Sequence, residues 1–275
     1  MPHFIAPDGI SLYYEDAGTG LPLLCLSGLT RNARDYDYVA PHLSGVRMIR
    51  MDYRGRGHSD WADPATYDVK VEMADALALL DLLGIEKAAV LGASRGGLIG
   101  MLMAVKAKDR MLGLALNDIG AELNSAGLEV IRGYVGKHPE QKTVEEAAKA
   151  RMALNAEKFP GVPLERWRKE VTNTAVLTDE GLRLNYDPRL ADALGNGEAA
   201  AVTLDLWPLF EKVAPLPCAV IHGENSDLLS RETVDEMARR NPDLITAHVP
   251  DRAHIPFLDE AESLAALNLW LGQMQ

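Results

Sequence analysis

The feature that most narrows what this chain can fold into is its repeated switch between short apolar runs and longer amphipathic ones. Leu23-Leu24-Cys25-Leu26 is a continuous apolar run that ends at Gly28, and residues 46–51 form another before the turn Arg54-Gly55-Arg56-Gly57. Residues 66–83 place Val69, Met73, Leu77, Leu80 and Leu83 at helical spacing, with Gly84 as the stop. Ala88-Ala89-Val90-Leu91 reads as a buried strand, a helix follows from about residue 95, and Leu112 to Leu116 is a further strand. The alternation breaks after Asp118. From about 121 to 214 the pattern is helical, clearest over 143–156, 164–174 and 187–194, with no convincing strand. It then resumes as strand 219–221, helix 231–240, strand 245–249 and helix 260–271. Residues 33–43 also look helical. This order predicts an α/β fold: a mostly parallel sheet with helices on both faces, built from residues 1–120 and 215–275. The segment 121–214 is too long for an ordinary connection and is expected to form a helical cap.

Composition sets limits on partners. The 275 residues, 47% of them hydrophobic, suffice for a large core without staples. With 28 Lys and Arg against 40 Asp and Glu, the net charge of −12 repels nucleic-acid phosphates and anionic membrane surfaces. Neither a basic, apolar leader nor a run of about 18 apolar residues is seen. The two cysteines, Cys25 and Cys218, sit inside apolar runs with no zinc-like spacing. A cytoplasmic protein with buried, inert thiols, no metal and no cofactor is the expectation.

The chemistry centres on Gly92-Ala93-Ser94-Arg95-Gly96, a G-x-S-x-G motif between a buried strand and a helix. That context matters more than the letters, because a serine on such a turn is lifted above the sheet edge at the positive end of the helix. A serine hydroxyl needs a base. Of the seven histidines, His254 is the best placed, in a loop after the last strand and before the final helix. His222 ends a strand and is expected to be structural, and His248 lies within one. The base in turn needs an orienting carboxylate. Asp227, which follows the strand at 219–222 and precedes His254, is the favoured residue, and Asp118, just past the strand at 112–116, is its rival.

The elbow at Ser94, the turn Asp52-Tyr53-Arg54-Gly55-Arg56-Gly57-His58-Ser59, the acid loop from Gly223 to Asp227 and the late His254 together resemble the α/β-hydrolase superfamily over essentially the whole chain. The resemblance implies an eight-stranded sheet and a catalytic set of Ser94, Asp227 and His254. It also implies an oxyanion hole made of the backbone N–H groups of Arg95 and of Leu29, although the family often has His-Gly where this chain has Ser27-Gly28. In the family's usual strand order, two strands separate those bearing Cys25 and Cys218, so no disulfide is expected. Arg95 stands where an uncharged residue is more common, and Arg31 follows the oxyanion loop. The two either bind a substrate carboxylate or pair with acids such as Asp35 and Asp118. Trp167, Trp207 and Phe210 in the cap suggest an apolar pocket.

The expected function is hydrolysis of a small or medium, mostly apolar carboxylic ester through an acyl-enzyme on Ser94. A C–C bond or lactone hydrolase and a cofactor-free perhydrolase share the same triad. A ligand-binding receptor on the same fold is the remaining alternative. Relatives that dehalogenate or open epoxides place Asp where Ser94 stands. The sequence does not indicate an oligomeric state.

Overall fold

The computed structural model describes residues 2–194 and 205–275. Residues 195–204, part of the expected cap, lie outside the described residues. The chain begins with three strands, β1 (His3–Ile5), β2 (Ser11–Gly18) and β3 (Leu21–Leu26). Residues 33–43 form not one α-helix but two 3₁₀ segments, Ala33–Asp37 and Ala40–His42. The Asn32 side chain caps the first by accepting from the Arg34 N–H, and Pro41 opens the second. Then come β4 (Val46–Met51), α1 (Val69–Leu82), β5 (Ala88–Ala93), α2 (Arg95–Lys106) and β6 (Met111–Asn117).

The inserted stretch contributes α3 (Ser125–Tyr134), α4 (Val144–Leu154) and α5 (Leu164–Thr174). It also holds an antiparallel hairpin absent from the sequence reading, β7 (Ala175–Thr178) with β8 (Gly181–Leu184). Four-residue strands are too short to show a period of two, and here they follow a helix directly. Pro188–Leu194 is a 3₁₀ helix. The chain closes with α6 (Trp207–Val213), β9 (Cys218–Gly223), α7 (Arg231–Arg240), β10 (Ile245–Val249) and α8 (Ala261–Gly272).

Eight strands form one sheet in the order β1-β2-β4-β3-β5-β6-β9-β10. β2 runs antiparallel to both neighbours, and every other pairing is parallel. Successive side chains of a strand point to opposite faces, so each strand feeds two cores. On β3, Leu24 and Leu26 join a cluster with α1, α2 and α6, while Leu23 and Cys25 join the cluster under Trp270 of α8. Fully burying one such leucine contributes about 1.5–3 kcal/mol. Phe210 and Val213 of α6 belong to the first of these clusters, so α6 packs on the sheet side of the molecule. β5 and β6 separate the strands that bear Cys25 and Cys218, and both thiols are free and buried. Burial pushes both thiols up, that of Cys218 to about 12. No helix among the described residues is long and apolar enough to cross a membrane.

Candidate active site

The central strands end together, and their loops carry the chemistry-bearing residues to one edge of the sheet. Ser94 follows β5 and caps α2 in the left-handed region, at φ 48° and ψ −112°. A non-glycine residue there carries about 1–3 kcal/mol of strain. Its backbone is held on both sides, with the N–H donating to the Asn117 carbonyl at 3.0 Å and the carbonyl accepting from Gly97 at 2.9 Å. The flanking glycines are sterically required. A Cβ on Gly92 would meet the backbone of Gly96 at 2.5 Å, and one on Gly96 would meet the Leu26 carbonyl oxygen at 1.8 Å.

The Ser94 hydroxyl lies 2.9 Å from Nε2 of His254, whose Nδ1 lies 2.8 Å from Oδ2 of Asp118. Asp118 is fully buried. Its Oδ1 accepts from the Gly223 N–H at 2.8 Å, and its Oδ2 also accepts from the Ser226 hydroxyl at 2.6 Å. The Asn117 side chain donates to the Pro256 carbonyl at 3.0 Å, tying the end of β6 to the loop that carries His254.

The carboxylate on His254 is therefore that of Asp118, not of Asp227 as the sequence favoured. Topology supplies the reason. β6 and β9 are neighbours, and Asp118 comes one residue after β6, with its own N–H donating to Ile221 of β9 at 2.7 Å. A positive φ of 51° marks the turn in the chain at Asp118. Asp227 lies farther beyond its strand and reaches the inserted segment instead, where Lys158 holds it at 2.5 Å. Its loop contributes Ser226 to the site rather than its acid.

The two residues expected to form the oxyanion hole share one anchor. Arg95 is the first residue of α2, so its N–H has no partner within the helix. Its side chain turns away from Asp118 and pairs with Glu72 at 2.6 Å. The same Glu72, fully buried on α1, lies 2.8 Å from Arg56. Arg56 Nε in turn donates to the carbonyl of Leu29 at 3.0 Å. Burial draws the Arg56 guanidinium below its ordinary range, and the Glu72 charge works against that. The neighbouring Arg54 is equally buried, paired with Asp75 and Asp8. The basic turn is thus structural. His222 is structural as well, within 3.1 Å of the Leu229 carbonyl and 2.9 Å of His248.

A cavity of about 530 Å³ opens onto Ser94 and His254, walled by Leu29 and Arg31 on one side and by Tyr134, Arg151 and Trp167 of the inserted helices on the other. This is within the usual size of a small-molecule site. Trp167 lines it as expected, whereas Phe210 and Trp207 pack against the sheet-side core. Arg31 pairs with Asp35 at 2.7 Å, as one sequence alternative has it, and with Glu170 of α5 at 2.6 Å. Two carboxylates thus share one guanidinium. Burial pushes the Asp35 carboxyl up to about 7 despite Arg31. Burial also works against Glu170, but Arg31 and the Tyr38 hydroxyl outweigh it and hold Glu170 below its ordinary value. Glu72, Glu170, Ser226 and Arg151 were not singled out from the sequence. The one readable signal was the pair of acids, Glu72 and Asp75, on a helix whose neighbouring turn is rich in arginine.

Comparison with known proteins agrees with this fold. The family described as alpha/beta hydrolase fold matches residues 22–261. A 3-hydroxybutyrate-oligomer hydrolase from Cupriavidus necator is 37% identical over 98% of this chain and 96% of its own length. A rhodomycin D methylesterase from Streptomyces peucetius is 31% identical over 79% of this chain and 75% of its own. The crystal structure of an alpha/beta hydrolase from Novosphingobium aromaticivorans superposes with a TM-score of 0.91 at 36% identity, covering 99% of this chain and 97% of that one.

Proposed function

The chain belongs to the α/β-hydrolase family, and from that premise we propose that it is a carboxylic ester hydrolase working through an acyl-enzyme on Ser94. The observation that carries this reading is the pair of hydrogen bonds Ser94–His254 and His254–Asp118, at 2.9 and 2.8 Å. His254 Nδ1–H donates to Asp118, which leaves Nε2 to take the serine proton as Ser94 Oγ attacks the ester carbonyl. Asp118 stabilises the imidazolium, which then protonates the departing alkoxide. Water, activated by the same Nε2, releases the acid and restores Ser94. The N–H groups of Arg95 and Leu29 stabilise the oxyanion, each such donor being worth about 10²–10³ in rate.

The ester bond as target is supported by the relatives: one is named as a methylesterase, and the units of a 3-hydroxybutyrate oligomer are joined by ester bonds. The buried, reduced thiols fit a cytoplasmic location. The test is covalent labelling with a fluorophosphonate together with hydrolysis of 4-nitrophenyl esters of graded chain length. The adduct is expected on the Ser94 peptide, and Ser94→Ala is expected to lose at least about 10⁴ in kcat. An adduct on another serine, or full activity in the variant, overturns the reading.

A further inference from the structure

The cavity is unusually charged for a site expected to hold apolar esters. Four cationic side chains line it, Arg31, Lys137, Arg151 and Lys158, against three acidic ones, Asp35, Glu170 and Asp227. This local excess arises in a chain whose net charge is −12. Two of the cations are neutralised inside the protein, Arg31 by Asp35 and Glu170, and Lys158 by Asp227.

Arg151 differs. It sits in the last turn of α4, and its guanidinium makes two hydrogen bonds, both to neutral acceptors of α5. Nη1 donates to the Glu170 carbonyl at 3.2 Å and Nη2 to the Thr174 hydroxyl at 2.9 Å. These bonds fix the orientation of the fork without cancelling its charge. Among the described residues no carboxylate lies within ion-pair distance of it; the Glu170 carboxylate is spent on Arg31 and the Tyr38 hydroxyl. Burial and the nearby Arg31 charge disfavour the Arg151 cation, and the Glu170 charge, which is not in ion-pair contact, offsets them only in part. A partly desolvated guanidinium beside a second one is costly unless an anion joins it, and a planar fork is matched best by a carboxylate.

We propose that Arg151 is the receptor for a free carboxylate on the substrate, so that the preferred substrates are monoanionic esters, carrying a carboxylate at the end remote from the bond that is cut. The inference rests on the ester-hydrolase reading for the identity of the scissile bond, but not for the anion subsite itself. An oriented, partly desolvated cation in the cavity wall selects such esters over neutral ones of the same length. It also fixes which ester carbonyl reaches Ser94.

The experiment compares two matched pairs of esters with the wild-type protein. Monomethyl adipate, with its carboxylate on the acyl side, is set against dimethyl adipate. 4-Acetoxybutanoate, with its carboxylate on the alcohol side, is set against its methyl ester. At least one pair is expected to show a tenfold or larger preference in kcat/KM for the anionic member. Arg151→Met is expected to abolish that preference, chiefly through a raised KM, and Arg151→Lys to retain part of it. No anionic preference in either pair, or a preference that survives in Arg151→Met, overturns the proposal. If Arg151→Met fails to fold, Arg151→Lys carries the test: a reduced anionic preference upholds the role of Arg151, and an unchanged one overturns it. If none of the four esters is hydrolysed, the ester reading fails separately. Calorimetric titration of Ser94→Ala with the same four compounds then tests the subsite. Tighter binding of the acids, lost on adding Arg151→Met, upholds it, and equal or absent binding overturns it.

Discussion

Asp118 is a buried carboxylate that accepts from the Gly223 N–H, the Ser226 hydroxyl and His254. Three donors orient its oxygens, so it cannot turn away from the imidazole without stranding partners in the interior. Asp227 has no such constraint, with 27% of its side chain exposed and a lysine as its partner. The chain order Ser, Asp, His is satisfied by either acid, which is why order alone did not separate them. The deciding quantity is how soon after its strand each acid occurs. Asp118→Asn is expected to lower kcat by about 10⁴, since an amide can trap the imidazole in the wrong tautomer. Asp227→Asn should cost less than tenfold. Steady-state kinetics on one activated ester decides it, and a larger loss in Asp227→Asn would return the role to the later loop.

At the scale of elements, α1 shows what periodicity conveys and what it conceals. The spacing of Val69, Met73 and Leu77 identified the helix and its limits to within a few residues. Those residues only flank the buried face, whose centre holds Glu72, Asp75, Ala76, Leu79 and Leu80. Hydrophobicity misjudges such a face because two of its members are acids, tolerated inside only because Arg54, Arg56 and Arg95 meet them there. Pairing across three elements is a tertiary fact with no local signature. The contacts reach both residues expected at the oxyanion hole: Glu72 ties Arg95 of α2 to Arg56, and Arg56 holds the Leu29 carbonyl. Glu72→Gln keeps the shape and removes the charge that both arginines share. It is expected to lower kcat about 10- to 100-fold with little change in KM, as loss of oxyanion-hole alignment does. Affinity for a trifluoromethyl ketone that mimics the tetrahedral state should fall in parallel. A loss confined to KM would make Glu72 merely structural.

For the molecule as a whole, the layered sheet, its elbow and its late histidine were legible because each depends on local patterns: a buried strand, a glycine-flanked serine, a loop before the last helix. What was not legible is where the inserted segment touches the sheet domain, since that contact joins residues far apart in the chain. Arg31 and Asp35, after β3, meet Glu170 of α5 there. This contact gives folding a pH dependence of known sign. Burial raises the Asp35 carboxyl to about 7, Arg31 favours its charge, and Glu170 and Asp52 oppose it. In the unfolded chain the same group titrates near about 3.9. Between those values the folded protein holds a proton that the unfolded chain has released. This contribution to stability is therefore complete below about pH 4 and is lost as pH rises toward 7. Other carboxylates with lowered values, such as Asp16 beside Arg47, act in the opposite direction, so the net curve does not isolate Asp35. A difference does. Asp35→Asn mimics the protonated carboxyl at every pH, so its Tm relative to wild type should be constant below about pH 4 and rise steadily in the variant's favour from there to about pH 7. Thermal unfolding of the two proteins in parallel across that range is the measurement. A difference that stays flat, or that turns against the variant as pH rises, would mean that Arg31 keeps Asp35 ionised and that both carboxylates are charged in the folded protein.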